Sequence, residues 1–486
     1  MTERPPLLRR GIAEAFAAQA VSAAFTLVTA VVTMRVLGPH EYGVYAIVFG
    51  FATIAGLVCD LGLSMSAARF IAERFESRSA AARVARDALA LKLVLCLVVA
   101  IAIVIESGPV THLLGAGGAA WPLRVMAIGT AAQAIFASAI GTLNAVRRTR
   151  VSLAAVCVES LVESVATGAA VLLTGTATAA AAGRLAGYAA GALVAVVLMA
   201  RTLGMRRPGP RVVSPRALLR YAGAVAVVEG AFVMFTRIDS VLLGPLAGPA
   251  AAGRFDAVVR IAGLMHYPGL AVAIALAPRF AGQVSSADRA LLGRTLGYLV
   301  LLQSALVIPI AIWFGSAARF GLGSGYAACG TIALVMSPYL MLWGLAPLLT
   351  MTASYAGEVR RRLPAALATV IVNVVLDLIL IPRLGAVGAA IGTDVAFAIY
   401  IAAHVRVCRQ VVGLELPTAS RTIRYAGAIA VGALGGWAAS ALATPLAVAL
   451  SVSAMPISAF AFGLLDLHAI AAQAGLRPRA AKAPVI

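Results

Sequence analysis

Charge is scarce in this chain. Only 12% of its 486 residues are Asp, Glu, Lys or Arg, about half the share of a soluble globular domain, which excludes a water-soluble enzyme and a disordered scaffold. Acidic residues are scarcer still, 19 against 39 basic, and the only two lysines are Lys92 and Lys482. The five cysteines, Cys59, Cys96, Cys157, Cys329 and Cys408, show neither pairing nor metal-ligand spacing, so packing is their expected role. The sequence has no G-x-x-x-x-G-K-[S/T] loop and no polar stretch long enough for a nucleotide-binding domain, which excludes an ATP-driven pump. It also lacks the pore-lining repeat or filter sequence of a channel.

What is present is hydrophobic, 62% of residues. A bilayer-spanning helix takes about 20 apolar residues. Apolar runs between charge clusters and Gly/Pro punctuation predict spans near 12–36, 43–67, 85–106, 119–143, 151–173, 179–202, 217–243, 254–278, 290–314, 326–350, 363–381, 386–408, 424–442 and 446–466. The first follows Arg9 and Arg10 as a signal peptide would. Its run of about 24 residues exceeds an ordinary signal core, so an uncleaved span is expected. Assigning alternate loops to the cytoplasm, from the N-terminus onward, puts 30 of the 39 basic residues there. Only Arg35, Arg124, Arg184, Arg254, Arg319 and Arg383 fall opposite, while Lys92, Arg237 and Arg260 fall within spans. Basic loops mark the cytoplasmic side, so both termini are expected there. The formal charge of +20 then reports topology, with no nucleic acid implied. The predominance of Arg and Ala suggests a GC-rich bacterial source.

The fold class expected is an all-α integral membrane protein with about 14 transmembrane helices. Two six-helix lobes, 1–205 and 217–411, form a pseudo-twofold parallel repeat about a basic linker, 206–216. A helix pair at 420–467 is appended, followed by a cytoplasmic tail at 468–486. The repeat rests on Leu37-Gly38-Pro39 with Gly43 against Leu243-Gly244-Pro245 with Gly253, and on Gly183 to Gly187 against Gly388 to Gly392. Such lobes, meeting along a central cleft, suit alternating access driven passively or by an ion gradient.

Ionisable residues within spans cost about 2.5–3.5 kcal/mol each and commonly face a cavity or a partner. Glu159 and Glu163 are four apart on one helix face, which fits either a proton or cation site or pairing with an arginine of a neighbouring helix. Arg237 and Asp239, two apart, point to different faces and each needs a partner elsewhere. Asp256 and Arg260, four apart, are spaced for a local pair; Arg260 lies roughly 9 Å into its span. Lys92, near a span end, is expected to snorkel. Asp60, Asp377 and Asp394 have no cation nearby in sequence and are open to a proton, to Na⁺ or to interhelical hydrogen bonds. Buried guanidinium groups are what a phosphate-bearing cargo requires, and Arg237 and Arg260 lead as candidates.

The segment Arg35-Val36-Leu37-Gly38-Pro39-His40-Glu41-Tyr42-Gly43-Val44-Tyr45-Ala46, with Asp60-Leu61-Gly62-Leu63-Ser64 and Arg69-Phe70-Ile71-Ala72-Glu73, resembles Wzx-type polysaccharide flippases of the multidrug/oligosaccharidyl-lipid/polysaccharide exporter superfamily. Ile238 to Gly244 with Gly253 and Arg260, and Asn373, Asp377, Ile381-Pro382, Gly385, Gly388 and Thr393, resemble its later junctions. The resemblance covers essentially the whole chain. It implies a transporter, with no enzymatic step, that moves undecaprenyl-diphosphate-linked oligosaccharide units from the cytoplasmic to the periplasmic leaflet of a bacterial inner membrane. The partners it implies are the lipid-linked oligosaccharide, membrane lipids, and a polysaccharide polymerase with other biosynthetic membrane proteins. No cofactor is expected beyond H⁺ or Na⁺ as coupling ion. Arg254 stands where relatives often have Tyr, and Asp377 where Asn is common. On this reading Arg237, Arg260 and Arg254 bind the diphosphate or anionic sugars, and Glu159, Glu163, Asp60, Asp239 and Asp256 are the ion-coupling candidates. The alternatives are a cation/drug antiporter of the same superfamily, favoured by Glu159, Glu163 and Asp60, and a flippase for lipid-linked peptidoglycan precursors.

Overall fold

The computed structural model describes residues 6–464 apart from 74–76, 206–208, 211–212, 281, 283, 358 and 443–444. The expected tail, 468–486, lies outside the described residues, as do Arg4, Arg74, Arg206, Arg207, Arg211, Arg477, Arg479 and Lys482. Hydrocarbon offers a backbone no water to bond, so a chain this apolar must satisfy its amides internally, and every regular element among the described residues is helical. In chain order these are α1 (Pro6–Asp60), α2 (Leu63–Ala72), α3 (Arg78–Ile105), α4 (Ser107–Leu113), α5 (Ala120–Ala145), α6 (Thr149–Thr174), α7 (Ala177–Leu203), α8 (Pro215–Ala247) and α9 (Pro249–Ala262). There follow α10 (His266–Leu276), α11 (Ser286–Leu322), α12 (Cys329–Val335), α13 (Ser337–Trp343), α14 (Ala346–Tyr355), α15 (Val359–Leu384), α16 (Ala386–Val412), α17 (Ala419–Ser440) and α18 (Pro445–Ala461).

Ten helical stretches among the described residues are long and apolar enough to cross a bilayer. An eleventh results if Ser324–Val335 and Ser337–Tyr355, bent by 65°, form one broken span. The chain is a multi-pass membrane protein. Two expected spans run together as α1, whose only non-helical residue is Gly38 (φ 69°, ψ 176°). Proline cannot donate into a continuing helix but suits a first turn, so Pro39 closes one segment and opens the next. The helix α3 shows how a span divides its faces: Ala81, Ala85, Ala88, Lys92 and Cys96 are buried, while Leu93, Leu97 and Ile101 are exposed where lipid would lie.

The chain forms two compact units. Among the described residues, the first lies within Met1–Leu264, Gly315–Tyr339 and Glu358–His404, and the second within Met265–Phe314, Leu340–Gly357 and Val405–Ile486. Within the second, α17 and α18 are joined by Ser451 Oγ donating to Gly436 O (2.9 Å) and Ser458 Oγ donating to Ala428 O (2.8 Å). Its buried Gln303 donates to Met265 O (2.8 Å).

In the first unit the repeated punctuation takes a register different from the one expected. Pro245 lies inside α8, and the counterpart of Gly38-Pro39 is Gly248-Pro249, where Gly248 has φ 87° and ψ 163°. The shared unit is Gly-Pro followed four residues later by a second glycine, Gly43 or Gly253. The two Gly-Pro turns, both in the first unit, pack on each other reciprocally. A Cβ on Gly43 would overlap the carbonyl of Pro249, and one on Gly253 would overlap the carbonyl of Pro39. Small residues that admit a backbone are the usual means of close helix approach in membranes.

We expect Gly43→Ala and Gly253→Ala each to destabilise the protein by about 1–3 kcal/mol, as overpacking does. Gly117→Ala is the control, since nothing lies within 4 Å of its Cβ position. Thermal unfolding in detergent reads the difference, and equal melting temperatures in all three variants would contradict the close approach.

Candidate functional site

Tyr42, Tyr45 and Phe49 recur at helical spacing along α1 with ring centroids 6.0 Å apart at each step, Tyr42 tilted against Tyr45 and Tyr45 stacked on Phe49. The Phe49 ring is the meeting point of three guanidinium groups: Arg184 of α7 at 4.6 Å, Arg237 of α8 at 4.8 Å and Arg260 of α9 at 5.0 Å from its centroid. An aromatic face attracts cations and attracts them more strongly when water is excluded. Arg260 Nε donates to Asp256 Oδ2 (2.7 Å), the local pair that the four-residue spacing allows. Arg237 Nη1 lies 3.9 Å from Asp256 Oδ1, and Tyr42 Oη donates to Asp256 Oδ2 (2.6 Å). Arg184 is held by Glu163 (2.6 Å) and donates to Tyr188 Oη (2.8 Å). Three positive groups thus contact two carboxylates, and two donors, Arg260 Nη2 and Arg184 Nε, are buried without an acceptor. A buried donor left unpaired costs about 1–3 kcal/mol, a cost that an added acceptor at these edges would relieve.

The carboxylates are placed by glycine. Gly183, Gly187 and Gly191 form one ridge of α7, and Cβ atoms there would meet Thr167, Glu163 and Glu159 of α6 respectively. The ridge lets the two backbones close and leaves Glu159 and Glu163 buried between them. Glu163 pairs with an arginine of a neighbouring helix, one of the two readings its spacing allows; Glu159 accepts from Ser160 Oγ (3.1 Å). The echo at Gly388 and Gly392 does the same for α15 and α16. A Cβ on Gly388 would lie 2.5 Å from Leu380 O, and one on Gly392 would lie 2.6 Å from Asp377 Oδ1.

Around Asp377 is a second polar cluster. Asp239 of α8, which needed a partner other than Arg237, accepts from Asn373 Nδ2 (2.9 Å) and Thr393 Oγ1 (3.0 Å). Asp377 lies beside Asp239. All four residues are buried, and both Asp377 oxygens and Asn373 Oδ1 lack hydrogen-bond partners. Two carboxyls, an amide and a hydroxyl, with spare oxygen atoms and no nitrogen cation, suit a proton or a hard cation. Asp394 is engaged otherwise, accepting from the Tyr339 backbone amide (2.8 Å).

Asp60 and Lys92 find each other. Lys92 is fully buried and bonds Asp60, Ser64 Oγ (2.5 Å) and Ala134 O (3.1 Å), which uses all three ammonium donors. It therefore does not snorkel, because it occupies the buried stripe of α3. Arg254 is half-buried, and its Nε donates to Gly325 O (3.0 Å); the structure does not bring it to Phe49. By position along the chain Arg184 falls among the charges outside the cytoplasmic loops, and the structure places it in the packed face of α7. Its place between Gly183 and Gly187, four residues before Tyr188, was the signal that it belongs to a packed face.

The family described as polysaccharide biosynthesis protein matches residues 8–282. No curated protein matches the sequence. Among solved structures, the lipid II flippase MurJ in an inward closed conformation is similar with a TM-score of 0.71 and 12% identity, over 95% of this chain and 99% of that one. An inward-facing multidrug resistance MATE family transporter of the MOP superfamily gives 0.66 and 17%, over 81% of this chain and 95% of that one. A MOP superfamily transporter from Pyrococcus furiosus, described as having a binding pocket of reverse polarity, gives 0.60 and 17%, over 84% and 96%. At these identities the likeness is one of fold.

Removing one member of a buried ion pair costs about 3–5 kcal/mol where the other stays uncompensated. Asp60 is 31% exposed and Lys92 is not exposed at all. Asp60→Ala is therefore expected to lower thermal stability more than Lys92→Met, with Asp60→Ala/Lys92→Met recovering part of the loss. A double variant no better than Asp60→Ala would refute the pairing.

Proposed function

The chain belongs to the polysaccharide biosynthesis protein family, as a membrane flippase or transporter with the MOP superfamily fold. From that premise we propose that it carries undecaprenyl-diphosphate-linked oligosaccharide repeat units from the cytoplasmic to the periplasmic leaflet for surface polysaccharide assembly. The observation that carries this reading is the arginine cluster at Phe49, with two buried guanidinium donors left free. Arginine gives planar, multidentate and permanently charged contacts to phosphate. Asp256 and Glu163 hold the guanidiniums apart and oriented, while phosphate oxygens take the free donors. The lipid tail remains in the bilayer. In this scheme the lobes 1–205 and 217–411 alternate access, both termini face the cytoplasm of a bacterial cell, and a polysaccharide polymerase takes the product.

H⁺ or Na⁺ is the proposed coupling ion. Asp239 with Asn373, Asp377 and Thr393 is the better placed candidate, since it has spare oxygens and no cation. Glu159 is the second: its protonation would leave three arginines facing only the two carboxylates they already contact. Asp60 is the weakest, because Lys92 already neutralises it. Asp256 serves the arginines, and half-buried Arg254, away from Phe49, is at most a contact for entering or leaving cargo. A cation/drug antiporter is supported by the Asp239 cluster but disfavoured by three arginines at one ring. A lipid-linked peptidoglycan precursor carries the same diphosphate and fits the same cluster.

Hydrogen bonds to charged groups contribute about 1.5–3 kcal/mol each. Arg260→Ala and Arg237→Ala are thus expected to slow translocation of a fluorescent polyprenyl-diphosphate oligosaccharide in proteoliposomes by at least about tenfold, with Arg260→Lys intermediate. Full transport by both alanine variants at matched protein level would remove the cluster from the mechanism. Asp377→Asn is expected to abolish stimulation by an imposed Na⁺ or proton gradient while leaving cargo binding intact. Undiminished stimulation would exclude that cluster as the coupling site.

A further inference from the structure

A second concentration of arginine lies away from Phe49, at helix ends of the first unit. There α3 and α6 begin and α5 and α7 end, and these ends line an open cavity of about 430 Å³ formed by Ala81, Val146, Thr202 and Leu203 with the exposed arginines Arg78, Arg147 and Arg148. Three of its seven lining residues are arginines and none is acidic. The floor is apolar, with Ala81 and Leu203 buried in the packed core beneath. The amides that open α6 face no side-chain cap at Arg148, and no acidic residue stands in that first turn, so the positive end of a 26-residue helix adds to the arginine charge.

The turn between α5 and α6 is built at a cost. Arg147 has φ 57°, and its amide donates to Asn144 O (3.0 Å) while that of Arg148 donates to Leu143 O (2.9 Å). This is the helix-ending arrangement in which glycine normally takes the left-handed position. Arginine there is strained, and strain of this kind is retained at functional sites. Topology alone does not require it, since any basic residue in the neighbouring exposed positions would set orientation equally well.

We propose that this cavity binds a phosphate-type anion, with the phosphate of an anionic membrane lipid headgroup as its occupant. The charge asymmetry places these helix ends at the cytoplasmic interface, where such phosphates lie, and basic pockets between helices on that side suit acidic lipid headgroups. Arg78, Arg147 and Arg148 would hold the phosphate, Thr202 would offer a hydroxyl, and Val146 and Leu203 would meet the glycerol and first methylenes. The site is distinct from the arginines at Phe49 and does not rest on the cargo proposed for them.

The test measures binding, not transport. The protein is placed in nanodiscs of phosphatidylcholine with a minor share of phosphatidylglycerol, and retained lipid is counted by native mass spectrometry. In a parallel arm inorganic pyrophosphate is titrated against protein in detergent. Wild type is expected to retain phosphatidylglycerol at least tenfold better than Arg78→Ala/Arg148→Ala, and to bind pyrophosphate weakly. Pyrophosphate binding that falls in the double variant, with no lipid preference, would keep the anion site and assign it to a soluble phosphate. Arg147→Gly is expected to raise the melting temperature yet weaken retention, which separates a binding role from a folding one. Equal retention of both probes by wild type and Arg78→Ala/Arg148→Ala, at unchanged melting temperature, would overturn the proposal.

Discussion

Charge within hydrocarbon survives only where something else has excluded the lipid, and in this protein glycine does that. Gly183, Gly187 and Gly191 bring α7 onto α6 at the level of Thr167, Glu163 and Glu159, and Gly388 and Gly392 bring α16 onto α15 at Leu380 and Asp377. Without those approaches the carboxyls would stand in lipid with no partner. Once they are buried, Glu163 fixes Arg184, Arg184 reaches Phe49, and the cluster with Arg237, Arg260 and Asp256 can assemble. The chemistry of the site rests on a helix packing made possible by residues that carry no side chain.

Three arginines in spans carry an insertion cost of about 8–10 kcal/mol together, from about 2.5–3.5 kcal/mol each, which rivals the whole stability of many folded domains. Asp256, Glu163 and the Phe49 face offset much of this. Two donors remain unpaired, so the compensation is incomplete at Arg260 and Arg184. A fully neutralised cluster would be a structural staple. This one is left short of acceptors at Arg260 Nη2 and Arg184 Nε.

Several of these relations could be read from spacing. The four-residue interval of Asp256 and Arg260 gave their pair, and the two-residue interval of Arg237 and Asp239 showed that they serve different places. The motif around Gly38 carried the family resemblance and supplied Tyr42 and Tyr45 to the site. Other relations were hidden because they depend on which helix lies opposite. Arg184 counted as a loop charge, since position along a span does not say what faces it. Lys92 was assigned to the interface by depth alone, although Ala81, Ala85 and Ala88 mark its stripe as the packed one. The repeat register slipped because Leu243-Gly244-Pro245 copies the letters of Leu37-Gly38-Pro39, whereas the backbone break that matters is at Gly248.

The Gly-Pro units at Gly38 and Gly248 bear on how such a chain can arise. Each offers a carbonyl to the other's glycine, Pro249 to Gly43 and Pro39 to Gly253. A contact in which the same element plays both parts is isologous, the form taken by twofold dimers. A half-length ancestor carrying one such unit would already possess a self-complementary surface. Its fusion into a single chain would have required no new interface, only a linker, and would afterwards have freed the two halves to diverge, one toward Arg184 and the glutamates and the other toward the Asp239 cluster.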